Sequence, residues 1–385
     1  MSNPNDLTVD VKFDGKTKLG SFELKDGDHI HRIEVDDRLE SPTAFSVTLK
    51  AGDVSASSSK TFDVLDHIKL GLEVEIKLGY EKESTVCKGE VSRVEPEFHQ
   101  SGNLVRISGY DIVHRLTRGT NSRVWGDGHK AKIKVGDVAK DVIKDSKARQ
   151  GGTGDSLSGK TDPGDNKHTY IAQYEMSDYQ FLRGLGVGTS LAFDAKASES
   201  SKKLEFKKID LSGSPKVTIC RENKDPVKAK LSQGADFTLS SVQQVAKVEV
   251  RGWDPVKKKA ILGSSKAVSS SIDGKSGPKH AGKAHYGSAS TGRVLTIVDC
   301  PVSSKAEADE IAGSIFDGLA TEFCTADVVI EGTSEVCAGD VVELKQFGKF
   351  YDGKYLVNSA LHTVYAGEVR PYTTRLGLVR NSSPG

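Results

Sequence analysis

The chain has 385 residues, with 54 Lys and Arg against 53 Asp and Glu, so its formal net charge is +1. This balance argues against nucleic-acid binding as the main function, because such proteins carry a strongly basic face. A hydrophobic fraction of 36% is enough for a sizeable core, and a chain of this length is expected to form two or three domains.

The N-terminal stretch MSNPNDLTVDVKF lacks the basic and apolar segments of a secretion signal, and no run approaches the ~18 apolar residues of a membrane helix. We therefore expect synthesis in the cytoplasm and no membrane insertion by this chain alone. The five cysteines are widely spaced, without a CxxC pair. Their spacing predicts buried free thiols rather than disulfides or a zinc site.

Apolar and polar residues alternate through residues 1–117, for example over 45–49, 72–78 and 104–107. Turns rich in Gly and charged residues separate these runs. A period of two residues is typical of half-buried antiparallel strands. We interpret residues 1–117 as a first tube-like β-barrel.

Residues 118–235 show a mixed pattern and are predicted to form an α/β domain. Apolar residues recur at helical spacing over 135–149, which predicts an amphipathic helix. The stretch 150–166 is rich in Gly, Ser, Thr and Asp, so it is predicted to be a mobile loop.

A second helix is predicted to begin at Ser177. Ser177 and Gln180 have the spacing of a capping box, in which each side chain bonds to the backbone N–H of the other residue. A β-hairpin is predicted next, with strands at 191–193 and 204–206 on either side of a polar tip.

Residues 236–385 are predicted to form a second tube-like β-barrel. A long loop over 262–292 and a helix over 304–320 interrupt its strands, and Ser304 caps the helix at the expected spacing from Glu307. The fold class is therefore β-rich α+β, with two tube-like antiparallel β-barrels and a mixed α/β middle domain.

The two β regions contain a faint internal repeat. Residues 71–77 resemble residues 339–345, because each run starts with Gly and then alternates apolar and polar positions. Further matches are a strand-opening Gly and a later His, namely Gly89 with Gly353 and His99 with His362. Either general β patterning or two copies of one barrel explains the likeness. If two copies are present, residues 72–78 and 341–344 are corresponding strands.

Residues 154–161 match the phosphate-binding pattern GxxxxGK[ST], which ends at Lys160 and Thr161. That chemistry needs a buried strand before the loop and a helix after it, so that backbone N–H groups converge on phosphate. Pro163 and Gly164 oppose such a helix, so nucleotide binding is not predicted. Ser156 fits an esterase signature in the same loop, but it also lacks the preceding strand.

Three closely spaced glycines, Gly184, Gly186 and Gly188, resemble a dinucleotide fingerprint. They follow a predicted helix rather than a strand, so they are predicted to end that helix. The two tryptophans, Trp125 and Trp253, are predicted to be packing anchors beside turns.

Candidate metal ligands and acid pairs are present but isolated. Two histidine pairs, His29 with His31 and His280 with His285, have no third ligand fixed nearby, and a metal site needs three or four. Nothing selects the adjacent carboxylates of residues 36 and 37 from the other acidic residues. The sequence therefore predicts no catalytic, cofactor or metal site.

Three stretches of the chain, 173–183, 248–255 and 332–374, resemble the hub proteins of contractile tails. This group comprises the phage late control protein D family and the hub portion of the valine-glycine-repeat spike proteins of type VI secretion and extracellular injection systems. The matching residues, which the resemblance implies are structural rather than catalytic, are Gln173, Glu175, Ser177, Asp178, Phe181, Leu182, Gly252, Trp253, Gly339, Gly353, Tyr355, His362 and Tyr372.

The resemblance implies a non-enzymatic baseplate hub that assembles as a homotrimer, with six similar barrels in one ring. Its implied partners are a hexameric inner tube above, a trimeric spike or spike-tip protein below, and other baseplate subunits. The chain would be made in the cytoplasm and then join an assembled injection particle.

Two departures from the family pattern are visible. Met176 stands where many members run Glu directly into Ser-Asp, and the sequence ends where longer members begin a further barrel and a needle. Two other functions stay open at this stage. These are a peptidoglycan- or ester-cleaving hydrolase of the same machine and a stand-alone binding module.

Overall fold

The structure is a computed structural model of the whole chain. It describes residues 7–382 except 15–20, 26–29, 40, 52–67, 81–82, 101, 129–131, 150–159, 162–166, 190, 199–200, 209–210, 212, 223–228, 270, 273–291 and 366–370. The predicted loops at 150–166 and 262–292 therefore lie largely outside the described residues, as do His29, Ser156, His280 and His285.

The first barrel is built from antiparallel strands whose buried side chains form one core. In the first strand, for example, the alternate residues Val9, Val11 and Phe13 are almost completely buried in this core. The strands are β1 (Thr8–Asp14), β2 (Ser21–Lys25), β3 (Ile30–Arg38), β4 (Ala44–Ala51), β5 (Glu73–Gly79), β6 (Ser84–His99) and β7 (Gly102–Asp111).

The middle domain begins with a 3-10 helix at Ile112–Thr117 and packs two helices around a separate core. The predicted helix over 135–149 is confirmed, and all five residues of its predicted apolar face are buried. The elements are β8 (Asn121–Gly126), α1 (Val135–Arg149), β9 (Lys160–Thr161), β10 (Tyr170–Met176), α2 (Asp178–Thr189), β11 (Leu191–Ser198) and β12 (Ser201–Lys208). The hairpin of β11 and β12 is also confirmed, because Phe193 pairs with Phe206.

The second barrel and a unit inserted into it form the rest of the described chain. The elements are β13 (Thr218–Cys220), β14 (Ala229–Leu239), β15 (Lys247–Asp254), β16 (Lys259–Ser265), β17 (Val294–Ile297), α3 (Lys305–Thr321), β18 (Cys324–Glu331), β19 (Val341–Lys345), β20 (Gly353–Tyr365) and β21 (Tyr372–Arg380). Six of these strands close on themselves in the order β13-β14-β18-β21-β20-β19. The predicted boundary at residue 235 lies within β14, so this barrel includes residues from Thr218 onward.

The inserted unit is the three-stranded sheet β16-β15-β17 with α3 against one face. Ser304 caps α3 as predicted, because its hydroxyl accepts a hydrogen bond from the Glu307 N–H at 3.2 Å. Trp253 was predicted to be a packing anchor, but 59% of it is exposed because it points away from α3. The other tryptophan, Trp125, is partly buried and stacks on Phe181 with a ring separation of 5.4 Å.

One strand belongs to both barrels. The first part of β20, residues 353–356, pairs with β19 and closes the second barrel. Its last part, residues 359–365, pairs with residues 32–38 of β3 in the first barrel. The two barrels are thus parts of one 13-stranded sheet, and backbone hydrogen bonds fix their relative position.

The internal repeat is confirmed in the strands that the structure describes. Strands β3-β4-β7-β6-β5 and β14-β18-β21-β20-β19 follow the same spatial order and the same chain order, and neighbours are antiparallel in both. The predicted counterparts Gly71 and Gly339 have φ of 84° and 85°. The Gly71 N–H donates to the Val91 carbonyl at 2.7 Å, and the Gly339 N–H donates to the Val357 carbonyl at 2.8 Å.

Other details of the predicted repeat are wrong. Because Val74 pairs with Gly89 and Val342 pairs with Tyr355, the counterpart of Gly89 is Tyr355 rather than Gly353. His99 is an exposed residue at the end of β6, whereas His362 is buried within β20. The glycine cluster 184–188 lies in the last turns of α2, which ends at Thr189, as predicted.

Candidate assembly site

A buried polar cluster joins the strands of the middle domain to its helices, and it contains several of the predicted motif residues. Its centre is Arg123 on β8. One nitrogen of this side chain, Nη1, donates to Gln173 Oε1 at 2.9 Å and to Asp178 Oδ1 at 2.8 Å. The other, Nη2, lies 2.6 Å from Asp145 Oδ2 on α1. Gln173 and Asp178 are only 1% and 4% exposed, so these two side chains are almost completely shielded from solvent.

The adjacent motif residues form the start of α2. The Gln180 N–H donates to the Ser177 hydroxyl at 3.2 Å, and the Ser177 N–H donates to Gln180 Oε1 at 3.1 Å, which confirms the predicted capping box. Phe181 and Leu182 then enter the core. Glu175 adopts a left-handed conformation with φ of 46°, at the irregularity that separates Gln173 from Met176 on β10.

A second set of motif residues lies where the two barrels meet. Tyr372 and His362 are buried, with the Tyr372 hydroxyl 2.9 Å from His362 Nδ1. The Tyr80 hydroxyl of the first barrel donates to the Tyr372 carbonyl at 3.3 Å. A Cβ on Gly332 would lie 2.0 Å from the Tyr372 ring, so only glycine fits there without a shift. Tyr372, a residue of β21, therefore packs into the core of the first barrel.

One further hydrogen bond stabilises this barrel junction. The Ala338 N–H, beside the turn at Gly339, donates to Asp37 Oδ2 on β3 at 2.8 Å.

At the opposite end of the second barrel, the Arg380 guanidinium lies 4.6 Å from the centre of the Tyr355 ring and donates to the carbonyls of Phe350 and Asp352. Gly353, with φ of 124°, begins β20 beside this arginine.

Burial lowers the pKa of His362 from its ordinary value of 6.5 to about 4. Unfolded chains bind a proton at this residue below pH 6.5, while the folded chain resists protonation until about pH 4. We therefore expect the stability to fall by roughly 2–3 kcal/mol from this group as the pH drops from 7 to 4.5. Urea unfolding at both pH values should show a smaller loss in His362→Asn, which keeps an acceptor but does not titrate. An equal loss in both proteins would contradict the prediction.

The predicted motif residues therefore separate into three places. Gln173, Glu175, Ser177, Asp178, Phe181 and Leu182 lie together in the middle domain, and Gly339, Gly353, Tyr355, His362 and Tyr372 lie in the second barrel. Gly252 and Trp253 lie apart from both, in the inserted unit, where a Cβ on Gly252 would meet Val302. Sequence reasoning missed Arg123, Asp37 and Arg380, because their partners are distant in the chain.

The described residues also show where parts of the candidate metal and phosphate motifs lie. No group of three or more His, Cys, Asp or Glu there could hold a metal ion. Lys160 and Thr161, which end the phosphate-binding pattern, form a short strand that pairs with β12, whereas that pattern requires the start of a helix. No helix among those residues is long and apolar enough to cross a membrane.

Comparison with solved structures defines the class of fold, which this chain shares with prophage and other tail proteins and with a type VI secretion component. The 43 kDa tail protein of prophage MuSo2 from Shewanella oneidensis is 14% identical with a TM-score of 0.66, and 98% of this chain and 99% of that chain are covered. A tail protein from Neisseria meningitidis MC58 has the same identity and TM-score, over 97% and 96% of the two chains. The E. coli c3393 protein, a component of the type VI secretion system, is 9% identical with a TM-score of 0.57, over 97% and 78%.

The particular family follows from the sequence. Residues 5–366 match the family model described as the Alg8 N-terminal domain, and the chain belongs to that family. A search of curated proteins gave no match. At these low identities the structural likeness concerns the fold, and it confirms the resemblance to tail hub proteins at that level.

Proposed function

We propose that this protein is a structural hub in the baseplate of a contractile injection machine and that it acts as a homotrimer. Three copies would supply six barrels to one ring, which would match a hexameric inner tube on one side and a trimeric spike on the other. The chain would act without catalysis, as one part of an assembled injection particle made with other baseplate subunits. Its organisation would be a first barrel that ends at Asp111, a mixed domain that begins at Ile112, and a second barrel whose strands begin at Thr218.

The observation that carries this proposal is the doubled barrel within one continuous sheet. Two barrels with the same strand order, joined through β20, give each chain two similar units side by side. Three such chains around one axis would therefore place six similar barrels in one ring. The fold shared with phage tail proteins and a type VI secretion component supports the same role.

Native mass spectrometry and electron microscopy of the purified chain test the proposal. We expect a trimer whose end views show a ring of six similar lobes around a channel, and we expect it to bind the inner tube protein of its own system. A monomer at all concentrations that also fails to bind tube or spike would favour a stand-alone binding module. Cleavage of peptidoglycan or ester substrates by the purified chain would favour the hydrolase.

A further inference from the structure

The two strand edges that pair where the barrels of one chain meet each have an equivalent edge on the other barrel. In the described part of the chain, no strand pairs with these equivalent edges. Within the chain, residues 359–365 of β20 extend past β19 and pair with residues 32–38 of β3. The repeat makes β6 the counterpart of β20 and β14 the counterpart of β3. We propose that residues 94–99 of β6 pair with residues 234–239 of β14 in a second copy of this chain. This inference rests on the proposed function, because it assumes that copies assemble.

Hydrogen-bonding rows across the sheet fix the equivalence residue by residue. Both β6 and β20 have a register shift directly after the matched valines Val91 and Val357, and they end the same distance beyond it, at His99 and Tyr365. From these valines, paired residues run across four strands of each barrel. The two rows are Val91, Gly109, Phe45 and Val35 in the first barrel, and Val357, Leu378, Ala326 and Phe237 in the second.

The register of the contact between copies follows from this equivalence. His362 pairs with Val35 inside the chain, and their counterparts are Pro96 and Phe237. Counting outward in both directions gives the remaining pairs. The predicted pairs are Val94 with Leu239, Glu95 with Thr238, Pro96 with Phe237, Glu97 with Asp236, Phe98 with Ala235, and His99 with Gly234.

Both edges are open in the part of the chain that the structure describes. There, β5 accompanies β6 only over residues 84–90, and β13 accompanies β14 only at residues 229–230. The described strands next to residues 94–99 and 234–239 lie on one side only, β7 and β18 respectively. Backbone N–H and C=O groups on the other side are therefore available for another strand.

Side-chain character also matches between the two edges. Phe98 is 62% exposed and Leu239 is 43% exposed, whereas Val364 and the buried Ile33 at the intrachain junction are 3% and 0% exposed. The predicted register places Val94, Pro96 and Phe98 opposite Leu239, Phe237 and Ala235, so apolar side chains meet on one face. A second copy would cover these apolar groups, as β20 and β3 cover each other.

Two features limit the strength of this contact and make it specific. Pro96 has no N–H, so its pair with Phe237 can form only one of two backbone bonds. Glu97 would lie opposite Asp236, and like charges repel at such positions. An arginine accompanies each acid, because Arg106 lies 3.6 Å from Glu97 and the charge of Asp236 acts on Arg375. A strand of another protein would lack this combination of a proline and of acidic residues that each have an arginine nearby.

Disulfide cross-linking tests the register directly. Where β20 pairs with β3 inside the chain, Thr363 with Glu34 and Leu361 with Asp36 are non-hydrogen-bonded pairs. Such pairs have Cα atoms about 4.5 Å apart. Their counterparts are Glu97 with Asp236 and Glu95 with Thr238, and a disulfide fits that distance. The matched variants are Glu97→Cys with Asp236→Cys and Glu95→Cys with Thr238→Cys, each in a Cys300→Ser and Cys337→Ser background.

The crossed variants use the same four positions as controls. Glu97→Cys with Thr238→Cys, and Glu95→Cys with Asp236→Cys, would place the cysteines diagonally at about 7–8 Å, too far for an unstrained bond. After mild oxidation we expect covalent dimers and trimers from the matched variants, at least about fivefold more than from the crossed ones. Glu34→Cys with Thr363→Cys should form its bond within one chain and give no covalent oligomer.

A second measurement does not depend on cysteine chemistry. Phe98→Asp and Leu239→Asp should each weaken association at least about tenfold in sedimentation without lowering the thermal midpoint of the monomer, because both side chains are exposed in the single chain. Trp253→Asp, at an exposed apolar residue outside the proposed contact, should leave association unchanged. A trimer without matched cross-links, or with equal yields from crossed pairs, would overturn this inference and leave the hub proposal standing. A chain that stays monomeric at high concentration would overturn both.

Discussion

Replacing Arg123 by alanine is expected to destabilise the middle domain by about 3–5 kcal/mol. The substitution leaves the Asp178 carboxylate buried without its cation, and removing one member of a buried ion pair costs this much. It also removes a donor to Gln173 and the contact with Asp145 on α1, whereas Asp178 keeps its hydrogen bonds from Asn121 and Gln173. Urea unfolding followed by the fluorescence of Trp125, which lies in the same core, measures the effect.

Arg375 provides the matched control. It also pairs with an aspartate, because its Nε lies 2.8 Å from Asp327 Oδ1, but 59% of its side chain is exposed. Solvent screening makes such pairs worth at most ~1 kcal/mol. Equal losses from Arg123→Ala and Arg375→Ala would show that the buried cluster does not hold the middle domain together.

The second large effect is expected at the barrel junction, where Gly332 and the Tyr372 ring exclude any added atom. Gly332→Ala should destabilise the chain by about 3 kcal/mol, because the new Cβ would overlap the ring. Tyr372→Ala should cost about 3–5 kcal/mol by leaving a cavity in the core of the first barrel. The double variant should lose clearly less than the sum of the two single variants, because the cavity accommodates the methyl group.

This double-mutant cycle separates a steric conflict from a general loss of packing. Tyr372→Phe serves as the control, since it keeps the ring and removes only the hydroxyl near His362, at a cost of about 1–2 kcal/mol. In that background Gly332→Ala should remain as harmful as in the unmodified chain. Additive losses in the cycle with Tyr372→Ala would contradict direct contact between Gly332 and the ring.

Local patterns in the sequence were sufficient to predict individual elements. The period of α1 and the capping boxes at Ser177 and Ser304 depend on residues within one or two helical turns, and all three predictions are confirmed. The repeat of 71–77 in 339–345 was visible for a similar reason. In each copy a left-handed glycine must precede an alternating strand, and both requirements leave a mark within seven residues.

Contacts between residues that are far apart in the chain produce no local sequence pattern. Arg123 reads as an ordinary charged residue on a strand, and only the return of β10 and α2 places Gln173 and Asp178 beside it. The pairing of β20 with β3 could not be predicted either. Each strand shows the usual alternation of apolar and polar residues, and that alternation does not indicate which strand pairs with it. Trp253 shows the reverse case, in which an aromatic residue typical of a core lies on the outer face of a small sheet.

The position of β20 in the chain sets the order in which the molecule can be completed during synthesis. β3 ends at Arg38, but β20, which covers its second edge, begins only at Gly353. At about 5–20 residues per second, the ribosome needs on the order of tens of seconds to make the intervening chain. Throughout that time the β3 edge, with Ile33 and Val35, lacks its cover and could pair with the same edge of a neighbouring nascent chain. Polysomes that carry several unfinished chains close together are therefore where this protein is most exposed to misassembly.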